Sequence, residues 1–282
     1  MPGYDQHLHS RHSFDCRTEP RENVEAAIGR GLRGLTFTEH FDTHPDDWKG
    51  CTYNDEAYTA AIEALRREFG SAIFVGKGIE VCFQPATLDF VLEFLAGHKF
   101  DLVMLSIHYF GDVPVHSREH WTGLGAAEGT KRYLETVLEA VRTCERIHRE
   151  RGHVFDVLGH LDVVKRYSHR FAGSYDVAPF ADLIDQILLA CLAADLVPEI
   201  NTSSLRQGLT EAMPNTAAIR RYAELGGQAV SIGSDAHRSV DIGADFDVAA
   251  NMLREAGFGR LAVFKDRKKQ LERLHNGGRN DG

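Results

Sequence analysis

The chain has 282 residues, of which 43% are hydrophobic and 26% are charged. This composition is typical of a globular protein and excludes an intrinsically disordered chain or a small disulfide-stapled scaffold. With 41 acidic and 32 basic residues the formal net charge is −9, which argues against nucleic acid or an anionic membrane as the partner. An anionic small-molecule substrate is compatible with this charge, because bound metal ions reverse the local field.

The chain has no stretch that would cross a membrane, since its longest apolar run, residues 187–194, is too short. The first ten residues have neither a basic start nor an apolar run, so we expect no signal peptide. The five cysteines are widely spaced and never form a CxxC pair. This usage favours reduced thiols, and we therefore expect a cytoplasmic protein.

Short apolar runs and amphipathic stretches alternate along the chain. The runs predict strands over residues 5–9, 34–40, 72–82, 101–108, 155–160, 196–201 and 228–234. The stretches predict helices over residues 21–30, 54–69, 87–96, 130–149, 177–194, 216–225 and 245–255. Such alternation is typical of parallel strands with right-handed crossovers. No linker or repeat divides the chain, so we expect one α/β domain over residues 1–282. We predict that residues 265–282, which are basic and then glycine-rich, form a frayed polar tail.

Six of the seven predicted strands end in histidine or acidic residues. These residues are His7, His9, His40, Glu80, His108, His160, Asp235 and His237. In a β/α barrel the carboxyl ends of the strands converge on one face, where active sites form. Because alternate residues of a strand point to the same side, His7 and His9 can chelate one ion, and so can Asp235 and His237. Imidazole and carboxylate ligands without thiolate favour Zn, Fe or Mn, and such mixed sites are catalytic more often than structural.

Several residues near these strand ends allow two interpretations. Asp162 either orients His160 or is an ordinary loop carboxylate. His12 either contacts substrate or is solvated, and Trp121, in the irregular stretch 112–129, either stacks on an imidazole of the substrate or packs within the loop. Lys165 and Arg166 lie near the predicted mouth, but a solvated helix start is the favoured interpretation. We predict surface positions for His148, His169 and His275.

Seven segments carry a resemblance to a known family. In this order and spacing, they are HLHSRHSFD, TFTEH, GIEV, SIHYF, GHLD, EINTSSLRQG and SIGSDAH. They resemble the polymerase-and-histidinol-phosphatase (PHP) family and, within it, the monofunctional histidinol-phosphate phosphatases. The resemblance runs from about His7 to His237. It implies a distorted, TIM-like (β/α)7 barrel with two or three divalent metal ions at the carboxyl ends of the strands.

The resemblance also implies roles for individual residues. His7, His9, Glu80 and Asp235 would hold one ion; Glu80, His108 and His160 would hold a second; and Asp15, His40 and His237 would hold a third. The position of Asp15 is histidine in some members of the family and carboxylate in others, and the alternative for Asp15 is a helix cap or turn. Arg206 matches an arginine expected to contact the substrate phosphate, whereas the alternative is a surface ion pair.

The implied activity is metal-dependent hydrolysis of a phosphate monoester, L-histidinol phosphate, to L-histidinol and phosphate. Water activated by the ions would attack phosphorus, while the ions and Arg206 neutralise the phosphate oxygens. Asp235, His237 or a water on the metal would protonate the leaving group. One alternative is a PHP-type phosphoesterase acting on phosphotyrosine, a nucleotide or a sugar phosphate. The other is a non-enzymatic metal-binding domain like those attached to polymerases, which the acidic charge and the intact ligand set disfavour.

Overall fold

Strands and helices alternate in the computed structural model, which describes residues 3–48 and 53–274. The strands are β1 Tyr4–Leu8, β2 Gly34–Phe41, β3 Phe74–Cys82, β4 Leu102–Ser106, β5 Tyr109–Phe110, β6 Val113–Pro114, β7 Val157–Leu158, β8 Val197–Asn201, β9 Ser231–Gly233, β10 Arg260–Lys265 and β11 Lys268–Arg273. The α-helices are α1 Pro20–Gly29, α2 Pro45–Trp48, α3 Asp55–Phe69, α4 Leu88–Gly97, α5 Arg118–Trp121, α6 Gly125–Arg151, α7 Val164–Ala172, α8 Ala181–Ala193, α9 Ser203–Arg206, α10 Thr216–Glu224 and α11 Phe246–Glu255.

Seven strands form one parallel sheet in the order β1-β2-β3-β4-β7-β8-β9. The two ends of this sheet meet where Leu8, at the end of β1, forms a parallel bridge with Ala236, just after β9. The sheet is therefore a nearly closed barrel, and the predicted single-domain α/β barrel is confirmed. The register places His40 of β2 opposite Glu80 of β3, so neighbouring strands bring these two side chains together.

Local signals set several element boundaries. Pro20 occupies the first turn of α1, where its missing N–H costs nothing. The side chain of Asn54 caps α3 by accepting a hydrogen bond from the backbone N–H of Ala57. Gly173 ends α7 in a left-handed conformation with φ 70°. Gly233, at the end of β9, lies between the side chains of His7 and Glu199. A Cβ atom at this position would lie 2.2 Å from both the His7 Cβ and Glu199 Oε1, so only glycine fits.

The predicted frayed tail is wrong for residues 265–274. Strands β10 and β11 pair antiparallel, and β10 seals the amino-terminal end of the barrel. There the Gln6 side chain donates a hydrogen bond to the Ala262 carbonyl (2.6 Å) and accepts one from the Phe264 N–H (2.7 Å). The physical reason is the apolar sequence of residues 261–264, which is buried, while the basic side chains of β11 stay exposed. Residues 275–282, with His275, lie outside the described residues.

Two other segments are more ordered than expected. The stretch 112–129 contains β6, α5 and the first turn of α6. Helix α7 follows β7 where only a helix start was predicted. In the described part of the chain no helix is both long and apolar enough to cross a membrane. Cys16, Cys82, Cys144 and Cys191 are free thiols, as predicted, and Cys51 lies outside the described residues.

Candidate metal centre

Glu80, at the carboxyl end of β3, lies at the centre of the predicted cluster and is fully buried. Its Oε1 atom lies 2.9 Å from His160 Nε2, 3.4 Å from His108 Nε2 and 3.5 Å from His7 Nε2. Its Oε2 atom lies 2.9 Å from His40 Nδ1. The two oxygens therefore face different groups of histidines, which is the arrangement that a bridging carboxylate requires.

Two further carboxylates complete the cluster. Asp235 Oδ1 lies 3.6 Å from His9 Nε2 and 3.9 Å from His7 Nε2. Asp15 Oδ2 lies 3.0 Å from His237 Nε2 and 3.5 Å from His40 Nε2. The structure thus brings together all nine residues that were predicted as metal ligands, including Asp15.

The residues of this cluster fit divalent metal ions. His7 Nε2, His9 Nε2 and Glu80 Oε2 are buried and make no hydrogen bond with a described residue. Two ligand atoms on a tetrahedral zinc ion, each about 2.1 Å from it, would lie about 3.4 Å apart. Several of the separations above are close to that value. The groups able to hold an ion include His7–His9–Asp235, His7–Glu80–His160, His40–Glu80–His108 and His9–His40–His237.

The imidazoles and carboxylates of the cluster shift one another's pKa values. Burial alone would raise the pKa of Glu80, but the charges of His7, His40 and His108 hold it well below its usual range. Burial would likewise raise the pKa of Asp235, yet the His9 imidazole 3.6 Å away and the charges of His7, His237 and Arg166 lower it. Burial, with the charges of His40 and His237, lowers the pKa of His9 to about 3. The carboxylates are therefore anionic and His9 is neutral, as metal ligands must be. Burial opposes protonation of His7, His40 and His108, but the nearby carboxylate charges raise their pKa values, so these imidazoles must release a proton when a metal ion binds.

Two of the predicted ligands have strained backbones. His160 and Asp235 have φ values of 40° and 52°, in the left-handed region that residues other than glycine rarely adopt. Such strain costs about 1–3 kcal/mol per residue and is concentrated at functional sites. The backbone N–H of Asp235 donates to the His7 carbonyl over 2.7 Å, which ties the strained turn to β1.

Carboxylates behind the ligands orient the imidazoles, and sequence reasoning missed them. His7 Nδ1 donates to Glu199 Oε1 (2.7 Å), and His108 Nδ1 donates to Asp42 Oδ2 (3.1 Å). A hydrogen bond of this kind fixes the tautomer and raises the basicity of the other ring nitrogen. Glu199 is a charged residue inside the apolar strand β8, which was the signal available in the sequence.

A cavity of about 650 Å³ opens above the cluster, and Arg166 and Arg206 lie in its wall. Arg206 Nη2 donates to the Ser234 carbonyl over 2.7 Å, while its Nη1 atom is buried and makes no hydrogen bond with a described residue. Arg166 Nη1 lies 3.3 Å from Asp235 Oδ2. The favoured interpretation of Arg166 as solvated is therefore wrong, because α7 starts directly after a strand end and aims this side chain at the site.

His12 and Trp121 do not reach the cavity. The His12 ring packs against Tyr58 with ring centroids 5.4 Å apart, and His12 is absent from the described lining residues. Trp121 is buried behind the wall, where its indole N–H donates to the Val115 carbonyl over 3.2 Å. Both residues belong to segments that fold back on the barrel, so their predicted contact with substrate is not supported and packing is the better interpretation.

Lys165 and His148 are less exposed than predicted. Lys165 is fully buried, and its Nζ atom lies 2.9 Å from Asp162 Oδ2 and 2.7 Å from Glu211 Oε1. Asp162 therefore pairs with Lys165, and its carboxylate makes no hydrogen bond with the His160 ring in the described part of the chain. His148 is half-buried, with its Nδ1 atom donating to the Ala194 carbonyl over 2.8 Å. A partner that is distant in the chain explains each position: Glu211 for Lys165 and the Ala194 carbonyl for His148.

The fold and the site together define a class, a parallel β/α barrel with clustered imidazole and carboxylate metal ligands at its strand ends. The model of the PHP domain matches residues 5–203, and the chain belongs to the PHP family. "Probable histidinol-phosphatase" of Deinococcus radiodurans is 32% identical over 276 residues, covering 94% of this chain and 98% of that protein. "Histidinol-phosphatase" of Lactococcus lactis is 29% identical over 271 residues, covering 95% of this chain and 96% of that protein.

The fold is also similar to a solved structure. The crystal structure of histidinol phosphate phosphatase from Lactococcus lactis, complexed with zinc, L-histidinol and phosphate, matches with a TM-score of 0.84 and 27% identity. The match covers 95% of this chain and 98% of that one.

Proposed function

We propose that this protein is a metal-dependent phosphomonoesterase that hydrolyses L-histidinol phosphate to L-histidinol and phosphate. The observation that carries the proposal is the buried ligand cluster on the floor of a cavity whose wall holds Arg166 and Arg206. The similarity to the Lactococcus lactis enzyme, which binds zinc, L-histidinol and phosphate, supports the choice of substrate.

The ligand cluster would hold two or three divalent ions, with Zn, Fe and Mn as the candidates. His7, His9, Glu80 and Asp235 would hold one; Glu80, His108 and His160 a second; and Asp15, His40 and His237 a third. When bound, such ions supply Lewis-acid chemistry, because they acidify water and neutralise the charge of the phosphate.

The arginines would bind the phosphate group. The Nη1 atom of Arg206 has no hydrogen bond among the described residues, so it is free to donate to a phosphate oxygen. Guanidinium groups match phosphate geometry and stay charged at every working pH. Arg166, held by Asp235 and by a 2.7 Å hydrogen bond to Gln207, would donate to a second oxygen.

The leaving L-histidinol needs a proton. The low pKa of Asp235 keeps that side chain ionised and makes it a poor acid. With two ions bound and the third site empty, His237 is the better donor, since its pKa is raised: burial opposes protonation, but the hydrogen bond with Asp15 and the charge of Asp235 outweigh it. The His237 side chain is 33% exposed and lines the cavity, within reach of a substrate.

The cavity also offers partners for the L-histidinol portion, which carries an amine and an imidazole. Asp47 and Asp241 provide carboxylates for a cationic amine, and Phe14 and Tyr167 provide rings for the imidazole. We infer that these four side chains bind the L-histidinol portion. Asp241 and Tyr167 would do so beside the arginines, since Asp241 lies 3.7 Å from Arg206 and the Tyr167 ring lies 5.5 Å from the Arg166 guanidinium.

A substrate panel tests the proposal. Phosphate release by the metal-loaded protein is measured with L-histidinol phosphate, phosphotyrosine, a nucleoside monophosphate and a phosphodiester, with Glu80→Gln as the inactive control. We expect kcat/KM to be highest for L-histidinol phosphate. A higher value for another monoester would leave a phosphatase with a different substrate. A metal-loaded protein that hydrolyses none of them would be a non-enzymatic metal-binding domain.

A further inference from the structure

A buried polar pair, Ser13 and Glu39, lies behind His9, and the reaction described above does not use it. Glu39 belongs to β2 and is 0% exposed, and Ser13, in the loop after β1, is 2% exposed. Ser13 Oγ lies 2.5 Å from Glu39 Oε2, 3.1 Å from His9 Nδ1 and 3.0 Å from the backbone nitrogen of His40. One hydroxyl therefore contacts a carboxylate, an imidazole and a backbone N–H.

These three contacts determine the direction of each hydrogen bond. A hydroxyl has one hydrogen to donate and two lone pairs that accept. The backbone N–H of His40 can only donate, so it takes one lone pair of Ser13 Oγ. An ionised Glu39, which also accepts from the Ser10 backbone N–H (3.1 Å) and the Ser10 hydroxyl (2.5 Å), takes the hydroxyl hydrogen. The remaining lone pair of Ser13 Oγ must accept a hydrogen from His9 Nδ1.

A hydrogen on Nδ1 leaves the Nε2 lone pair of His9 free. That Nε2 atom is buried, makes no hydrogen bond with a described residue and lies 3.6 Å from both Glu80 Oε2 and Asp235 Oδ1. The opposite tautomer would present an N–H to the cluster and could not bind a cation. The direction of the Ser13 hydrogen bond thus decides whether His9 is a competent ligand.

We propose that Ser13, oriented by Glu39, is a positioning residue that holds His9 in the tautomer able to bind metal. The inference rests on the metal centre of the proposed function, but not on the identity of the substrate. Ser13 plays for His9 the part that Glu199 plays for His7, with a hydroxyl inserted between the carboxylate and the imidazole. Losing such an outer partner typically costs 10–100-fold in metal affinity.

Zinc titration of the metal-free full-length protein tests the inference with Ser13→Ala and a matched control, Ser10→Ala. Both variants lose one hydroxyl hydrogen bond to Glu39, but only Ser13 contacts His9. We expect the apparent zinc Kd to rise about 10–100-fold in Ser13→Ala and to change less than about threefold in Ser10→Ala. Equal Kd values for Ser13→Ala and the wild type, or equal losses in both variants, would overturn the role of Ser13.

Nitrogen NMR of the wild-type, metal-free protein provides a readout that needs no folded Ser13 variant. The His9 ring signals are assigned by their loss in His9→Gln. We expect a protonated Nδ1 and a bare Nε2, and a protonated Nε2 would overturn the inference. A wild-type protein that binds no zinc would overturn the proposed function as well, whereas zinc binding with an Nε2–H tautomer in the metal-free state would overturn only the inference.

Discussion

Removing the guanidinium of Arg206 should impair catalysis by more than it destabilises the fold. In Arg206→Ala the fold loses one hydrogen bond from a charged donor, the 2.7 Å bond from Nη2 to the Ser234 carbonyl, which contributes about 1.5–3 kcal/mol. The transition state loses the Nη1 donor, which has no other partner among the described residues. We expect kcat/KM to fall roughly 10²–10³-fold, or about 3–4 kcal/mol, as for loss of one oxyanion-stabilising donor.

The assay compares two chemically different monoesters, L-histidinol phosphate and p-nitrophenyl phosphate, with metal content measured for each variant. Arg238→Ala is the matched control, because Arg206 and Arg238 both contact Asp241 (3.7 and 2.9 Å) but the Arg238 side chain is 72% exposed. Arg206→Lys should recover only part of the loss, since an ammonium cannot reproduce the planar fork. Wild-type kcat/KM in Arg206→Ala would refute the reasoning. A loss confined to one substrate would reassign Arg206 to the leaving group.

Four further outcomes are expected. Glu80→Gln should keep the fold but lower metal content and turnover by orders of magnitude, and full metal content with unchanged turnover would refute its bridging role. A strong chelator should abolish turnover, and Mn, Zn, Fe or Co should restore it. Metal content should fall in acid because protons compete for the ligand histidines; turnover that survives verified metal removal would contradict the mechanism. Lys165→Met should lower the free energy of unfolding by about 3–5 kcal/mol, because it leaves two carboxylates without their buried cation. The control Lys131→Met removes a lysine from an exposed ion pair and should barely change the urea midpoint. Burial lowers the pKa of His148 in the folded protein, so on acidification the unfolded chain takes up this proton first. The free energy of unfolding should therefore decrease as the pH falls from about 6.5 toward the lowered folded pKa. If the urea midpoint of His148→Phe has the same pH dependence as that of the wild type, His148 contributes nothing to it.

The sequence by itself determined the barrel and the floor of the site. Alternating strand and helix patterns predict parallel strands, and the resemblance to the PHP family implies that these strands close into a barrel. The parallel strands of a barrel deliver their carboxyl ends to one face. A ligand at the end of a strand, such as Glu80 or His160, is therefore located by its position in the chain alone. The seven predicted strands agree with the structure to within a few residues, because each is bounded by turn residues and charged ends.

Only the tertiary structure shows which side chains hydrogen-bond to the predicted ligands from behind and which line the cavity above them. His7 and Glu199 are 192 positions apart in the chain, and no local pattern indicates that their side chains meet. No local pattern indicates that Lys165 meets Glu211 either. Nor does one indicate that the apolar residues of the β10–β11 hairpin pack against the amino-terminal end of the barrel. Their charge alone predicted that Lys165 and the residues after 264 are exposed to solvent. Burying a charge costs free energy, and the sequence does not show which partner in the fold offsets that cost.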